Sequence, residues 1–166
     1  MEKLIDVASY IYNRYLETKG EAIDEMKLHK MLYFAQRESI IQNNEPLFEE
    51  SFYGWKFGPV LKEIRAVYKD GAFLSSIDAE VVEHIQDVMD IVFEEYADKK
   101  SWSLSRLTHG EYSWQHARVG IDENAHGDHP LLIEDIAQDA QRVCLRRKGL
   151  ASLGITKGIA PYENHC

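Results

Sequence analysis

Four histidines fall late in the chain, at His109, His116, His126 and His129, and they form the one grouping of side chains that could ligate a metal or shuttle protons. A His-dependent metallohydrolase built on them would need imidazoles held at liganding spacing. His109 and His116 stand seven apart, which would align them on an unbroken helix, but Gly110 and a capping serine at Ser113 argue for a break between them. His126-Gly127-Asp128-His129 has no HExxH or CxxC companion. Helix caps and loop hydrogen bonds account better for these residues, and no metal site is expected. Ser103 or Ser105 near His109 is the nearest approach to an activated nucleophile, with no nucleophile elbow to support it. Glu49-Glu50 and Glu94-Glu95 lie beside further charge, as solvated faces do, so an acid/base pair is not expected there. Phosphate loops and glycine-rich fingerprints are absent. The chain reads as a non-enzyme without a cofactor.

Binding chemistry has a better candidate, the aromatic knot Phe52-Tyr53-Gly54-Trp55-Lys56-Phe57-Gly58-Pro59. Trp, Tyr and Phe bunched beside Gly and a lysine are the residue types that dominate interface hot spots. Tyr53, Trp55, Lys56 and Phe57 are therefore candidate contacts for a partner. The competing reading, for Trp55 and Phe57 above all, is core filling. The cations Arg142, Arg146, Arg147 and Lys148 could touch nucleic acid, but at the end of a helix they are explained by its macrodipole. A net charge of -9 opposes binding to phosphate backbones and suits association with a basic partner. No run of apolar residues is long enough to span a membrane, and Glu2 and Asp6 stand where a secretory signal carries positive charge, so a cytoplasmic location is expected.

These residues must be positioned by a scaffold, and the hydrophobic spacing predicts a helical one. Leu4, Val7, Ala8, Ile11 and Tyr15 mark a first helix over about 2 to 18, ended by Gly20 in a left-handed cap. Asp24 caps a second, with Ile23 stapled on Leu28, and its wide apolar arc (Leu28, Met31, Leu32, Phe34, Ala35, Ile41) predicts a central, buried helix that Asn43-Asn44 stop. Residues 45 to 58 read as an irregular aromatic loop in which Tyr53, Trp55 and Phe57 alternate like a short extended segment. Gly58-Pro59 is expected to restart a helix, with proline at its first position. Ser75 with Asp78 is a capping box for a long helix carrying Val81, Ile85, Val88, Val92 and Tyr96. Short serine-capped helices are expected at about 101 to 108 and 113 to 119, then a polar loop from Gly120 to Pro130. A last helix carries Ile133, Ile136, Ala140, Val143 and Cys144 inward. The expected architecture is all-α: one domain over 1–148, a bundle of six to seven helices with one aromatic loop, and a weakly structured tail over 149–166.

Several of these segments resemble a known family. Lys27-Leu28 and Lys30-Met31-Leu32-Tyr33-Phe34-Ala35-Gln36 are similar to the helix-two signature of the Panacea domain, the SocA-like, phage-associated antitoxin family. Pro46-Leu47-Phe48 resembles the start of its loop, and Trp55-Lys56-Phe57-Gly58-Pro59-Val60 its tryptophan-glycine-proline motif. Leu104-Ser105, Leu107-Thr108-His109 and Trp114-Gln115-His116-Ala117-Arg118 resemble its second block. The resemblance runs from residue 4 to about 143 and departs from the family at Phe57, where tyrosine is common, and after Lys148. It implies an antitoxin of a type II toxin-antitoxin system, which binds a cognate toxin, usually encoded by the adjacent gene, and holds it inactive. The alternatives are an adaptor that delivers its bound partner to a protease and, from another class, the metallohydrolase above.

Overall fold

The computed structural model describes residues 1–70, 73 and 76–155. The stripe from Leu4 to Tyr15 buries one face of α1 (Leu4–Lys19), and Gly20 ends it at φ 72° with its amide donating to the Leu16 carbonyl at 2.9 Å. Asp24 caps α2 (Glu25–Asn43), accepting from the Lys27 amide at 2.9 Å, while Ile23 and Leu28 are both fully buried in the core. Asn44 closes α2 in the left-handed region at φ 57°, which a short amide side chain tolerates. A hairpin follows, β1 (Tyr53–Trp55) and β2 (Gly58–Val60), then α3 (Lys62–Tyr68), α4 (Ala79–Tyr96), α5 (Ser101–His109), α6 (Tyr112–Ala117) and α7 (Ile133–Ser152). Seven helices and one two-stranded sheet among the described residues make the fold mostly helical, as expected. No helix there is long and apolar enough to cross a membrane.

The wide apolar arc of α2 has its counterpart in the packing, since this helix touches α1, α3, α4, α5, α7 and β2. Leu28, Met31, Leu32, Tyr33, Phe34 and Ala35 are at most 1% exposed. Burying side chains of this size contributes about 1.5–3 kcal/mol each, which keeps α2 at the centre although Lys27, Lys30, Gln36, Arg37 and Glu38 are buried with them. Phe34 stacks on Tyr96 of α4 with ring centroids 3.9 Å apart, and Tyr33 meets Phe52 edge-on at 5.6 Å. Ile41, Ala140, Val143 and Cys144 form a smaller cluster between α2 and α7.

Several boundaries differ from the sequence expectations, each for a tertiary reason. Gly58-Pro59 does not restart a helix: both residues lie in β2, where Pro59 faces Gly54, and α3 begins only at Lys62. The Leu61 amide is taken by His29 Nδ1 of α2 at 3.2 Å, which holds the chain extended up to that point. Asp78 is itself the cap of α4, accepting from the Glu80 amide at 3.0 Å, and Ser75 lies outside the described residues. Neither short helix is capped by its serine. Ser101 donates to Asp24, and the Tyr112 and Ser113 amides at the start of α6 are accepted by Asp139 of α7 at 2.8 and 2.9 Å. α7 continues to Ser152, past the boundary expected at 148, so Arg142 and Arg147 lie mid-helix and bind side chains, not its end. Residues 156–166 of the expected tail lie outside the described residues.

Candidate protein-binding hairpin

Lys56 and Phe57 form a two-residue turn that joins β1 to β2 in the register Tyr53–Val60, Gly54–Pro59 and Trp55–Gly58. An isolated two-stranded hairpin is marginal in water, so its rigidity must come from elsewhere. On its other edge β1 takes the Gly54 amide to the His129 carbonyl at 3.1 Å, and the Leu131 amide to the Phe52 carbonyl at 2.7 Å. Side chains from the helices secure the rest. Arg118 Nη1 donates to the Gly54 carbonyl at 2.9 Å, Trp114 Nε1 to Trp55 at 2.9 Å, Ser105 Oγ to Phe57 at 2.8 Å and Lys30 Nζ to Pro59 at 3.0 Å. These carbonyls thus accept from α2, from α5 and, for Gly54 and Trp55, from α6 and its C-cap Arg118, and the tip is fixed from several directions.

Gly58 shows how tightly β2 is seated. It sits at φ +107°, and a Cβ there would fall 2.5 Å from Thr108 Oγ1 and 2.7 Å from Lys30 Cε. Thr108 is fully buried and donates to the Ser105 carbonyl at 2.7 Å. Lys30 is 1% exposed, and burial pushes its amine down to about 7. His109 stacks on Trp114 at 4.2 Å, and burial together with the Lys30 charge holds its imidazole below the usual range. Lys30, Gly58, Pro59, Thr108, His109 and Trp114, scattered along the sequence, therefore meet at the base of one hairpin.

The remaining motif residues hold the scaffold. Leu28 and Leu32 are core. Lys27 Nζ donates to the Ala97 carbonyl at the C-terminus of α4 at 2.7 Å and to Tyr15 at 3.1 Å. Gln36 clamps the loop before the hairpin: its Oε1 accepts from the Leu47 and Phe48 amides at 2.7 and 3.2 Å and its Nε2 donates to the Phe48 carbonyl at 3.0 Å. Tyr33 is wholly buried, with its hydroxyl 2.9 Å from Ser113 and 3.2 Å from carboxylate oxygens of Glu111 and Asp139; burial and those carboxylates raise its pKa well above the ordinary value. Leu107 is the exception. It is 43% exposed and takes no part in the core.

At the tip the four expected contact residues separate. Tyr53 and Trp55 are half-buried under cations, with Lys62 Nζ 3.8 Å from the Tyr53 ring centroid and the Arg65 guanidinium 5.1 Å from that of Trp55. His126 flanks Trp55 at 4.9 Å. Phe57 is 40% exposed, which corrects its reading as core, and it meets Trp102 of α5 edge-on at 5.2 Å. Lys56 lies 5.2 Å from the Phe57 ring. Trp102, 59% exposed, is a residue that sequence reasoning missed. Its position gave a signal, because the buried face of α5 is Leu104, Ser105 and Thr108, and Trp102 lies off that spacing.

The late histidines are dispersed. His109 belongs to the hairpin base, His116 Nδ1 lies 2.7 Å from Asp135, His126 is against Trp55, and His129 contributes its carbonyl to Gly54. Among the described residues no three His, Cys, Asp or Glu are placed to hold a metal ion. Ser105, weighed as a nucleophile, is buried and donates to the Phe57 carbonyl.

A family model described as "Antitoxin SocA-like, Panacea domain" matches residues 28–115, just over half of the chain. The chain belongs to that family. No curated protein and no solved structure matches it. The matched stretch of the Panacea domain holds α2 from Leu28 on, the whole hairpin, α5 and the start of α6, that is, most of the side chains that secure the tip. α7 lies beyond it.

Proposed function

We propose that this protein is an antitoxin that binds a cognate toxin protein and neutralises it by occlusion, with no catalytic step, in the cytoplasm. The toxin is the product of the adjacent gene. The observation that carries the reading is the pairing of two large exposed aromatics, Phe57 at the turn of a hairpin whose carbonyls are tied to helical side chains of a SocA-like domain, and Trp102 of α5 beside it. Rigid aromatic anchors lose little conformational entropy on docking, which is why such residues carry a disproportionate share of interface energy. Tyr53, Trp55 and Lys56 flank the anchors and complete the contact.

The test is growth of cells that express the adjacent reading frame alone and then with this protein, scored with co-purification of the pair. Rescue with a stable complex is the expected result. A toxin that stays fully active beside an excess of folded partner would falsify the reading. Delivery to a protease would shorten the half-life of the toxin on co-expression, whereas occlusion leaves it unchanged.

A further inference from the structure

A cleft of about 920 Å³ opens between α4, the α5–α6 junction and α7, away from the contacts that build the hairpin. Its floor is made of Arg37 and Glu111, paired at 2.7 Å, with Arg37 also donating to Tyr96 at 2.7 Å; the Nε of this buried guanidinium has no partner among the described residues. Arg142 and Arg147 of the wall are tied down, to Asp139 at 3.2 Å and to Glu38 at 3.0 Å in turn. Lys99 and Arg146, by contrast, line the mouth, are exposed, and form no side-chain hydrogen bond or ion pair among the described residues. In a chain of net charge -9, two uncommitted cations facing one cleft are conspicuous. Between them lies apolar surface, and part of it is Leu107, the motif residue with no role in the core.

We propose that this cleft is a second docking site, which takes an acidic amphipathic segment of the protein partner: an apolar side chain against Leu107, Val143 and Leu150, and carboxylates on Lys99 and Arg146. Glu94 lines the same cleft and pairs with no side chain among the described residues, so a uniformly anionic ligand such as a phosphate backbone is repelled while spaced carboxylates are accommodated. α7, which lies outside the family match, supplies Val143, Arg146 and Leu150, while Lys99 and Leu107 lie inside it, so the cleft joins the matched stretch to the helix that follows it. The proposal rests on the reading of this protein as a binder of another protein, but not on that partner being a toxin.

The probe is a fluorescein-labelled synthetic peptide of alternating glutamate and leucine pairs, titrated into the purified full chain and followed by anisotropy at two salt concentrations. Saturable, salt-sensitive binding is expected, weakened about tenfold or more by the double variant Lys99→Glu and Arg146→Glu, with an unchanged melting curve because neither side chain holds the fold. Lys3→Glu, at an exposed lysine that precedes α1 and does not line the cleft, leaves the binding unchanged. Absence of saturable binding to the wild type, or equal binding to the double variant, overturns the proposal; equal loss in Lys3→Glu also overturns it, since the attraction is then diffuse. Toxin rescue in cells is read separately, so a failure of neutralisation is not mistaken for a failure of the cleft.

Discussion

Lys30 condenses the chemistry of the hairpin base into one side chain. Its amine is buried, donates to the Pro59 carbonyl and is held at about 7, against an ordinary value of 10.5. Between those values the unfolded chain binds the extra proton, so this residue makes stability rise with pH across that window and adds no pH dependence below it, where both states are protonated. Urea unfolding of the wild type and of Lys30→Met should therefore diverge, with the difference in unfolding free energy moving in favour of the wild type from about pH 7 to about pH 10 and staying flat below about pH 6. Gly58 is the complementary case. An added methyl meets Thr108 Oγ1 and Lys30 Cε at a backbone angle that side chains rarely adopt, and Gly58→Ala should cost about 2–5 kcal/mol in the same assay. A cost under about 0.5 kcal/mol would mean the base of the hairpin yields easily.

At the scale of elements, α6 is a short helix whose first amides are held by a residue of another helix. Asp139 accepts from Tyr112 and Ser113, lies near the Tyr33 hydroxyl and pairs with Arg142 at 3.2 Å. Asp139→Ala removes that cap and leaves buried donors unpaired, so a loss of about 2–4 kcal/mol is expected, with the amides of 112 and 113 losing hydrogen-exchange protection first. This element also marks the limit of what the sequence discloses. α1, α2 and α4 were legible because their apolar residues recur at helical spacing and Gly20, Asp24 and Asn44 are local signals. The hairpin was half legible: alternation at Tyr53 and Trp55 announced the extended segment, whereas Pro59 suggested a helix start that only the Lys30 and His29 contacts overrule. The pairs Arg37–Glu111 and Tyr112–Asp139 left no local trace, since their members are 74 and 27 residues apart in the chain.

Across the whole molecule, the polar residues on one central helix do the joining. Lys27 reaches α4, Lys30 the hairpin, Tyr33 the carboxylates of α7 and the α6 start, Gln36 the loop at Leu47-Phe48, and Glu38 is gripped by Arg147 through both carboxylate oxygens at 3.0 Å. Buried polar groups cost free energy unless paired, so each pairing also dictates where its partner segment sits. Most of the residues matched to the SocA-like family thus act on the scaffold, while Phe57 and Trp102, inside the same matched stretch, are the large aromatics it leaves exposed at the tip. The central claim, that α2 and the second block build a rigid platform and that Phe57 with Trp102 make the contact, is tested most directly by the double variant Phe57→Ala and Trp102→Ala. Its denaturation midpoint and its dissociation constant for the adjacent gene's product should be measured on the same preparation. The account predicts stability within about 1 kcal/mol of the wild type and affinity weakened by at least about thirtyfold; wild-type affinity in a folded double variant would contradict it.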